Sequence, residues 1–156
     1  MASLLSVPVR KLHPAAKLPA YAHGPDEDAG LDLCAVEAIT LSAGKWTAVP
    51  TGIAVEIPSG YEGQVRPRSG LAAGHGIALL NAPGTIDPGY RGEIKVLLIN
   101  HSGEDFQIEP GDRIAQLVIA VYARVDCRWE ETLTDSARGE GGFGSTGRQP
   151  LTRAAG

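Results

Sequence analysis

Asp87 is the side chain best placed to do chemistry. The run Asn81-Ala-Pro-Gly-Thr-Ile-Asp-Pro-Gly-Tyr-Arg-Gly-Glu93 sets it between two turn-forming units, Pro83-Gly84 and Pro88-Gly89. Proline fixes φ and glycine permits positive φ, so both units restrict the backbone to a few conformations. A carboxylate held this rigidly can orient a water molecule and take its proton. Tyr90 follows three residues later, its ring within reach of a bound sugar or base. Read as plain structure, the same run is a decorated hairpin loop.

Three further segments carry polar groups suited to phosphate. Arg68-Ser69-Gly70 stands at the start of a short helix expected over Ser69–Gly74, with Ser69 as N-cap. A helix start offers unpaired N–H groups, and here a hydroxyl and a guanidinium join them. In Asp28-Ala-Gly-Leu-Asp-Leu33, residues 28, 30 and 32 share one face if the segment is a strand. Two carboxylates with glycine between them offer the oxygen ligands that Mg²⁺ prefers, while Mg²⁺ typically keeps waters and substrate phosphates in its shell. Gln116 interrupts the apolar run Ile114 to Val121 and is expected on the face of Ile114 and Val118. Its amide needs partners, either a ligand phosphate or neighbouring backbone. Asp112 and Arg113, adjacent and so pointing apart, are expected to pair structurally.

The tail Gly139-Glu-Gly-Gly-Phe-Gly-Ser-Thr-Gly147 nearly matches G-x4-G-K-[ST], but Ser145 holds the lysine position and no buried strand precedes it. A Walker-type nucleotidase is excluded on those grounds. A flexible segment whose N–H groups wrap phosphates, with Phe143 stacking on a flat ring, fits the composition. The four histidines show no metal-ligand spacing and receive no role. Cys34 and Cys127 form no CxxC motif, so the expectation is buried free thiols in a reducing cytoplasm.

The elements that must position these groups follow from the rest of the chain. Its 156 residues suit one domain, and 20 glycines with 11 prolines leave no room for long amphipathic helices. Strands are expected at 4–12, 30–37, 46–49, 52–57, 63–66, 76–81, 94–100, 106–108 and 114–124, giving an all-β sandwich or jelly-roll-like barrel. Residues 1–125 form the β-domain. Residues 126–156, poor in apolar side chains, form a mobile C-terminal arm. A net charge of −4 without a basic run argues against nucleic acid as a partner. No apolar stretch approaches spanning length and no signal peptide is evident, so the expectation is a cytoplasmic protein without a membrane partner.

Taken in order, Asp28–Leu33, Pro67–Ala72, Asn81–Glu93, Gly111–Ile119 and Arg138–Gly147 resemble the five motifs of the homotrimeric dUTPases, the deoxyuridine triphosphate nucleotidohydrolases. The resemblance spans about residues 4 to 147. It implies a jelly-roll-like, β-clip-type subunit with one short helix, and a homotrimer with active sites at subunit interfaces. The implied reaction is hydrolysis of dUTP to dUMP and pyrophosphate with Mg²⁺. By that resemblance Asp87 activates the attacking water, and Asn81 with the hairpin backbone of Gly84, Thr85 and Ile86 reads the uracil edge. Tyr90 packs on the deoxyribose and leaves no room for a 2′-hydroxyl, while Lys95 lines the nucleotide. Arg68, Ser69, Gly70 and Gln116 contact phosphates. Asp32 touches waters on a Mg²⁺ held mainly by substrate phosphates. Arg138, Phe143, Gly144 and Ser145 belong to the arm that closes over the nucleotide. The related trimeric dCTP deaminases share the Ile-Asp-Pro-Gly turn, but Leu97 stands where their catalytic acid is expected.

Overall fold

The computed structural model describes residues 4–150. The chain divides into two compact units, Met1–Arg124 and Val125–Gly156. Among its described residues the first contains eleven strands and one helix, and every strand pairing in it is antiparallel. The fold is all-β and jelly-roll-like.

Four small sheets build it. β1 (Val9–Lys11) pairs with β5 (Ile53–Val55), and β3 (Ile39–Leu41) with β10 (Phe106–Ile108). A three-stranded sheet runs in the order β4 (Trp46–Pro50), β9 (Lys95–Asn100), β7 (Ile77–Leu79). The sheet that bears on function is four-stranded: β2 (Leu31–Cys34), β11 (Arg113–Val121), β6 (Tyr61–Arg66), β8 (Gly84–Ile86). Its strands and those of the other sheets bury Leu33, Val49, Val65, Ile77, Val96, Leu98, Ile114 and Leu117 in one core. Burying each of these is worth about 1.5–3 kcal/mol relative to leaving it exposed. Asn100, fully buried, is satisfied by the carbonyls of Leu41 and Glu104 and by Ser102.

Several strands are shorter than their sequence runs, because a strand lasts only as long as its partner. The first keeps three residues, matched to Val55, Ala54 and Ile53. The run 30–37 is paired only from Leu31 to Cys34, and β11 stops at Val121, opposite Tyr61 where β6 begins. Two strands were not expected, β3 and β8. The second starts at Gly84, inside the Pro83-Gly84 pair that reads as a turn.

The helix α1 (Ser69–His75) also corrects an expectation. Its N-cap is Arg68, which makes no side-chain cap bond, and Ser69 is the first helical residue with its side chain exposed. Gly76 in the left-handed region closes the other end and donates its N–H to the Ala72 carbonyl.

The second unit contains no helix or strand among its described residues. Its large apolar side chains, including Trp129, Leu133 and Phe143, are exposed.

Candidate active site

The hairpin around Asp87 is built by three constraints. Gly84 faces Val65 across the β6–β8 pair so closely that a Cβ there would stand 3.3 Å from the Val65 side chain and 3.4 Å from Asn81 Nδ2. After Ile86 the chain turns, and the Tyr90 N–H donates to the Asp87 carbonyl at 3.0 Å. The Tyr90 hydroxyl then donates to the Glu93 carbonyl at 2.9 Å, pinning the ring over Gly92. Glu93 is fixed in turn, its carboxylate accepting the Gly52 N–H at 2.9 Å. The result is a cavity of about 490 Å³. Asn81, Gly84, Thr85, Ile86, Asp87, Tyr90 and Lys95 all line it, over a floor of Val65, Leu79 and Leu97. An apolar floor with a few convergent polar groups is the usual make-up of a small-molecule site. Asp87 is exposed, with its carboxylate free to face solvent or ligand.

The phosphate-type residues gather elsewhere. Asp32, Arg68, Ser69, Gly70, Arg113 and Gln116 line a second depression of about 550 Å³. Asp32 lies between two guanidinium groups, with Arg113 Nη1 at 3.0 Å and Arg68 Nε at 3.3 Å. Gln116 donates from Nε2 to the Pro67 carbonyl at 2.9 Å, so its amide answers to backbone in this state. It does not share the alternation expected for Ile114. A register irregularity between Arg113 and Ala115 lets Ile114 and Ala115 both be buried and breaks the two-residue period there.

Asp28 lines the same depression as Asp32, but not through strand alternation. The strand begins only at Leu31, and Asp28 sits in a turn where its carboxylate accepts the His23 N–H at 2.6 Å. That backbone bond, with the His23 side chain 3.1 Å away, holds the Asp28 carboxyl below its ordinary range. Among the described residues, no three Asp, Glu, His or Cys side chains are grouped so as to hold a metal ion. One half-shielded carboxylate beside phosphate-type donors fits a Mg²⁺ that takes most of its ligands from substrate and water. Cys34, half-buried, has its thiol pushed up by that burial, and Cys127 is exposed rather than buried; both are free.

The two depressions share no lining residue. Ile86 pairs with Gly63 near one end of β6, while Arg66, Gln116 and Asp32 lie level with one another at the other end. Asp87 is thus about four residues along the strands and three strand spacings across from Asp32, roughly 20 Å. In the second unit Arg138 Nε donates to the Gly141 carbonyl at 2.7 Å, and two successive turns place Phe143, Gly144 and Ser145 together. Phe143 is fully exposed with φ of 50°, a conformation that costs a non-glycine residue about 1–2 kcal/mol.

Residue-type reasoning did not assign Arg113 or Glu93 to these sites. Arg113 is 81 residues from Asp32 and meets it only through the β2–β11 pairing. Glu93 acts through Gly52, on a distant loop.

A family model described as dUTPase matches residues 16–147. The deoxyuridine 5′-triphosphate nucleotidohydrolase of Solibacter usitatus (strain Ellin6076) is 52% identical over 149 residues, covering 95% of this chain and 100% of that protein. That of Anaeromyxobacter sp. (strain Fw109-5) is 56% identical over 135 residues, covering 86% and 90%. Among solved structures, the Staphylococcus bacteriophage 80alpha dUTPase with dUpNHpp superposes with a TM-score of 0.83 at 28% identity, over 91% of this chain and 98% of that one. A variant dUTPase from phage phi11 of S. aureus, described for its coordination of a structural Mg(II) ion, gives 0.75 at 27% identity, over 82% and 98%. Matched across most of its length at more than half identity, the chain belongs to the dUTPase family.

Proposed function

We propose that the protein hydrolyses dUTP to dUMP and pyrophosphate, with Asp87 directing water at the α-phosphorus. The observation that carries this is the hairpin cavity, which gathers Asn81, Asp87 and Tyr90 around one apolar floor. A uracil entering there meets the Asn81 amide and the backbone of Gly84, Thr85 and Ile86. A thymine methyl would collide with the tight hairpin that holds the uracil. Cytosine would present its donors and acceptors in the wrong places, and a site built on hydrogen bonds rejects such a mismatch strongly. Tyr90, tied to Glu93, forms the wall that a ribose 2′-hydroxyl would strike.

The step itself balances simply. A water oxygen bonds to the α-phosphorus, its proton passes to the Asp87 carboxylate, and the bond to the α–β bridging oxygen breaks. Pyrophosphate leaves with that oxygen. A positioned base of this kind contributes about 10²–10⁴-fold. Arg68, the Ser69 hydroxyl, Gly70 and Gln116 hold the phosphates, and their donors offset the charge. Asp32 would hold Mg²⁺ through its waters, and the ion when bound would neutralise charge on the phosphate oxygens.

One chain leaves Asp87 and Asp32 roughly 20 Å apart by strand spacing. We therefore read the working enzyme as a homotrimer in which neighbouring subunits complete each site. Residues 126–156 act as an arm, with Arg138 on phosphate and Phe143, Gly144 and Ser145 closing over the base. The full exposure of Phe143 supports this, since a ring in water gains by covering a flat ligand. Closure excludes bulk water and strengthens the polar contacts. In the cell this activity supplies dUMP for dTMP synthesis and keeps uracil out of DNA. The site of action we assign is the cytoplasm; no helix among the described residues is long and apolar enough to cross a membrane.

The test is purified protein with Mg²⁺ and, in parallel, dUTP, UTP, dCTP and dTTP, measuring pyrophosphate. The expected result is turnover of dUTP alone. Comparable turnover of UTP or dTTP would defeat the assignments of Tyr90 and the hairpin backbone. Ammonia released from dCTP would place the chain with the deaminases.

A further inference from the structure

We propose that Arg113 is a positioning residue for the phosphate end of the site, holding the Asp32 carboxylate so that Arg68 can leave it for substrate. The proposal rests on the reading of Arg68 and Asp32 given above. Three contacts carry it. Arg113 Nη1 donates to Asp32 Oδ2 at 3.0 Å, while Arg68 Nε stands 3.3 Å from Oδ1. Arg68 Nη1 also donates to the Arg113 carbonyl at 3.1 Å. The two arginines are thus joined to each other and to one acid, and the acid is the most shielded of the three side chains at 18% exposure.

The strand register shows why Arg113 reaches that acid at all. Gln116 pairs with Asp32, and Arg113 pairs with Cys34. Asp32 and Cys34 are two apart on β2, but Gln116 and Arg113 are three apart on β11. In a regular strand an odd separation puts side chains on opposite faces. The irregularity between Arg113 and Ala115 takes up the extra residue and returns Arg113 to the face of Asp32. Bulges of this kind re-aim single side chains and are enriched beside active sites.

The consequence is a division of labour. A bare Asp32 would repel the triphosphate and would also compete with it for Arg68. With Arg113 in place the acid keeps one partner throughout, and Arg68 can exchange carboxylate for phosphate. Arg113 itself stays on its carboxylate and does not touch the nucleotide.

The experiment is a double-mutant cycle on the full chain with Arg113→Gln, Asp32→Asn and both together. Its readout is the dissociation constant of the analogue dUpNHpp by calorimetry, with and without Mg²⁺. Arg113→Gln is expected to weaken binding by about tenfold, and the loss is expected to vanish in the Asp32→Asn background, where no carboxylate competes for Arg68. Arg113→Lys, which keeps the charge, should fall within about threefold of the unsubstituted chain. Equal loss from Arg113→Gln in both backgrounds, or no loss in either, overturns the inference. Should Arg113→Gln unfold, the same cycle is run with Arg113→Lys, and a tenfold loss there that persists in Asp32→Asn overturns it equally. If Asp32→Asn alone leaves affinity and its Mg²⁺ dependence unchanged, the reading of Asp32 fails and the inference falls with it.

Discussion

The hairpin cavity and the charged depression hold their side chains in different ways. In the hairpin, Tyr90 and Glu93 are bonded to backbone groups of the β-unit, and Asp87 keeps its carboxylate exposed. In the depression the long donor side chains already have protein partners. Arg68 holds Asp32 and a carbonyl, Arg113 holds Asp32, and Gln116 holds the Pro67 carbonyl. A ligand in the hairpin can bind without undoing anything. A phosphate in the depression must replace existing bonds, so it gains only the difference between old and new partners. Substitutions in the hairpin should therefore change chemistry and selectivity, and substitutions in the depression should change affinity.

Asp87→Asn tests the first half most severely. The substitution keeps shape and removes the proton acceptor. Because Asp87 is exposed, thermal unfolding should be unaffected. The turnover number should fall by about 10²–10⁴-fold with dUTP. Stopped-time pyrophosphate assays on the two proteins decide it, and a rate within tenfold of the unsubstituted chain removes Asp87 from its role.

That residue was readable from sequence because its neighbours are prolines and glycines, whose effects are local. The same holds for the strand Phe106–Ile108 and for the short helix after Arg68. What was not readable depends on pairing across the chain. β3 is three residues long and pairs as a strand with β10, far along the sequence. β8 hides behind Pro83-Gly84 because a turn and a strand start look alike when the partner strand is unknown. The register irregularity in β11 hid Arg113 from the site and put Gln116 out of phase with Ile114. Asp28 matched the alternation of Asp32 on paper, but His23 captured it in a turn. Residue types marked residues that line both depressions, whereas the roughly 20 Å between Asp87 and Asp32 follows from register alone.

Gly92→Ala probes the hairpin without replacing a polar side chain. A methyl at Gly92 would overlap the Tyr90 hydroxyl and stand 2.6 Å from its Cζ and 2.9 Å from a ring carbon. The ring must move, and its bond to the Glu93 carbonyl is lost with it. If the ring is the wall against ribose, the preference for dUTP over UTP should fall by about 10- to 100-fold, the range one misplaced group is worth in a pocket. The ratio of kcat/KM for the two nucleotides measures this. An unchanged ratio with a raised KM would show that Tyr90 packs on the substrate without discriminating the sugar.

Gly30→Ala is the matching change in the depression and should be the milder one. A methyl there would overlap Gln116 Oε1 and stand 3.2 Å from the Gln116 Cβ. The amide can swing aside, since it is the far end of a flexible side chain, but doing so gives up its bond to Pro67. That loss costs about 1 kcal/mol. Replacing glycine stiffens the unfolded chain and returns about 0.4–1 kcal/mol, so the melting temperature should hardly move. The effect belongs in KM for dUTP, raised by a few-fold, with kcat held. A fall in kcat at constant KM would mean that Gln116 acts on the transition state more than on the bound triphosphate, and the division between a chemical hairpin and a purely binding depression would have to be redrawn.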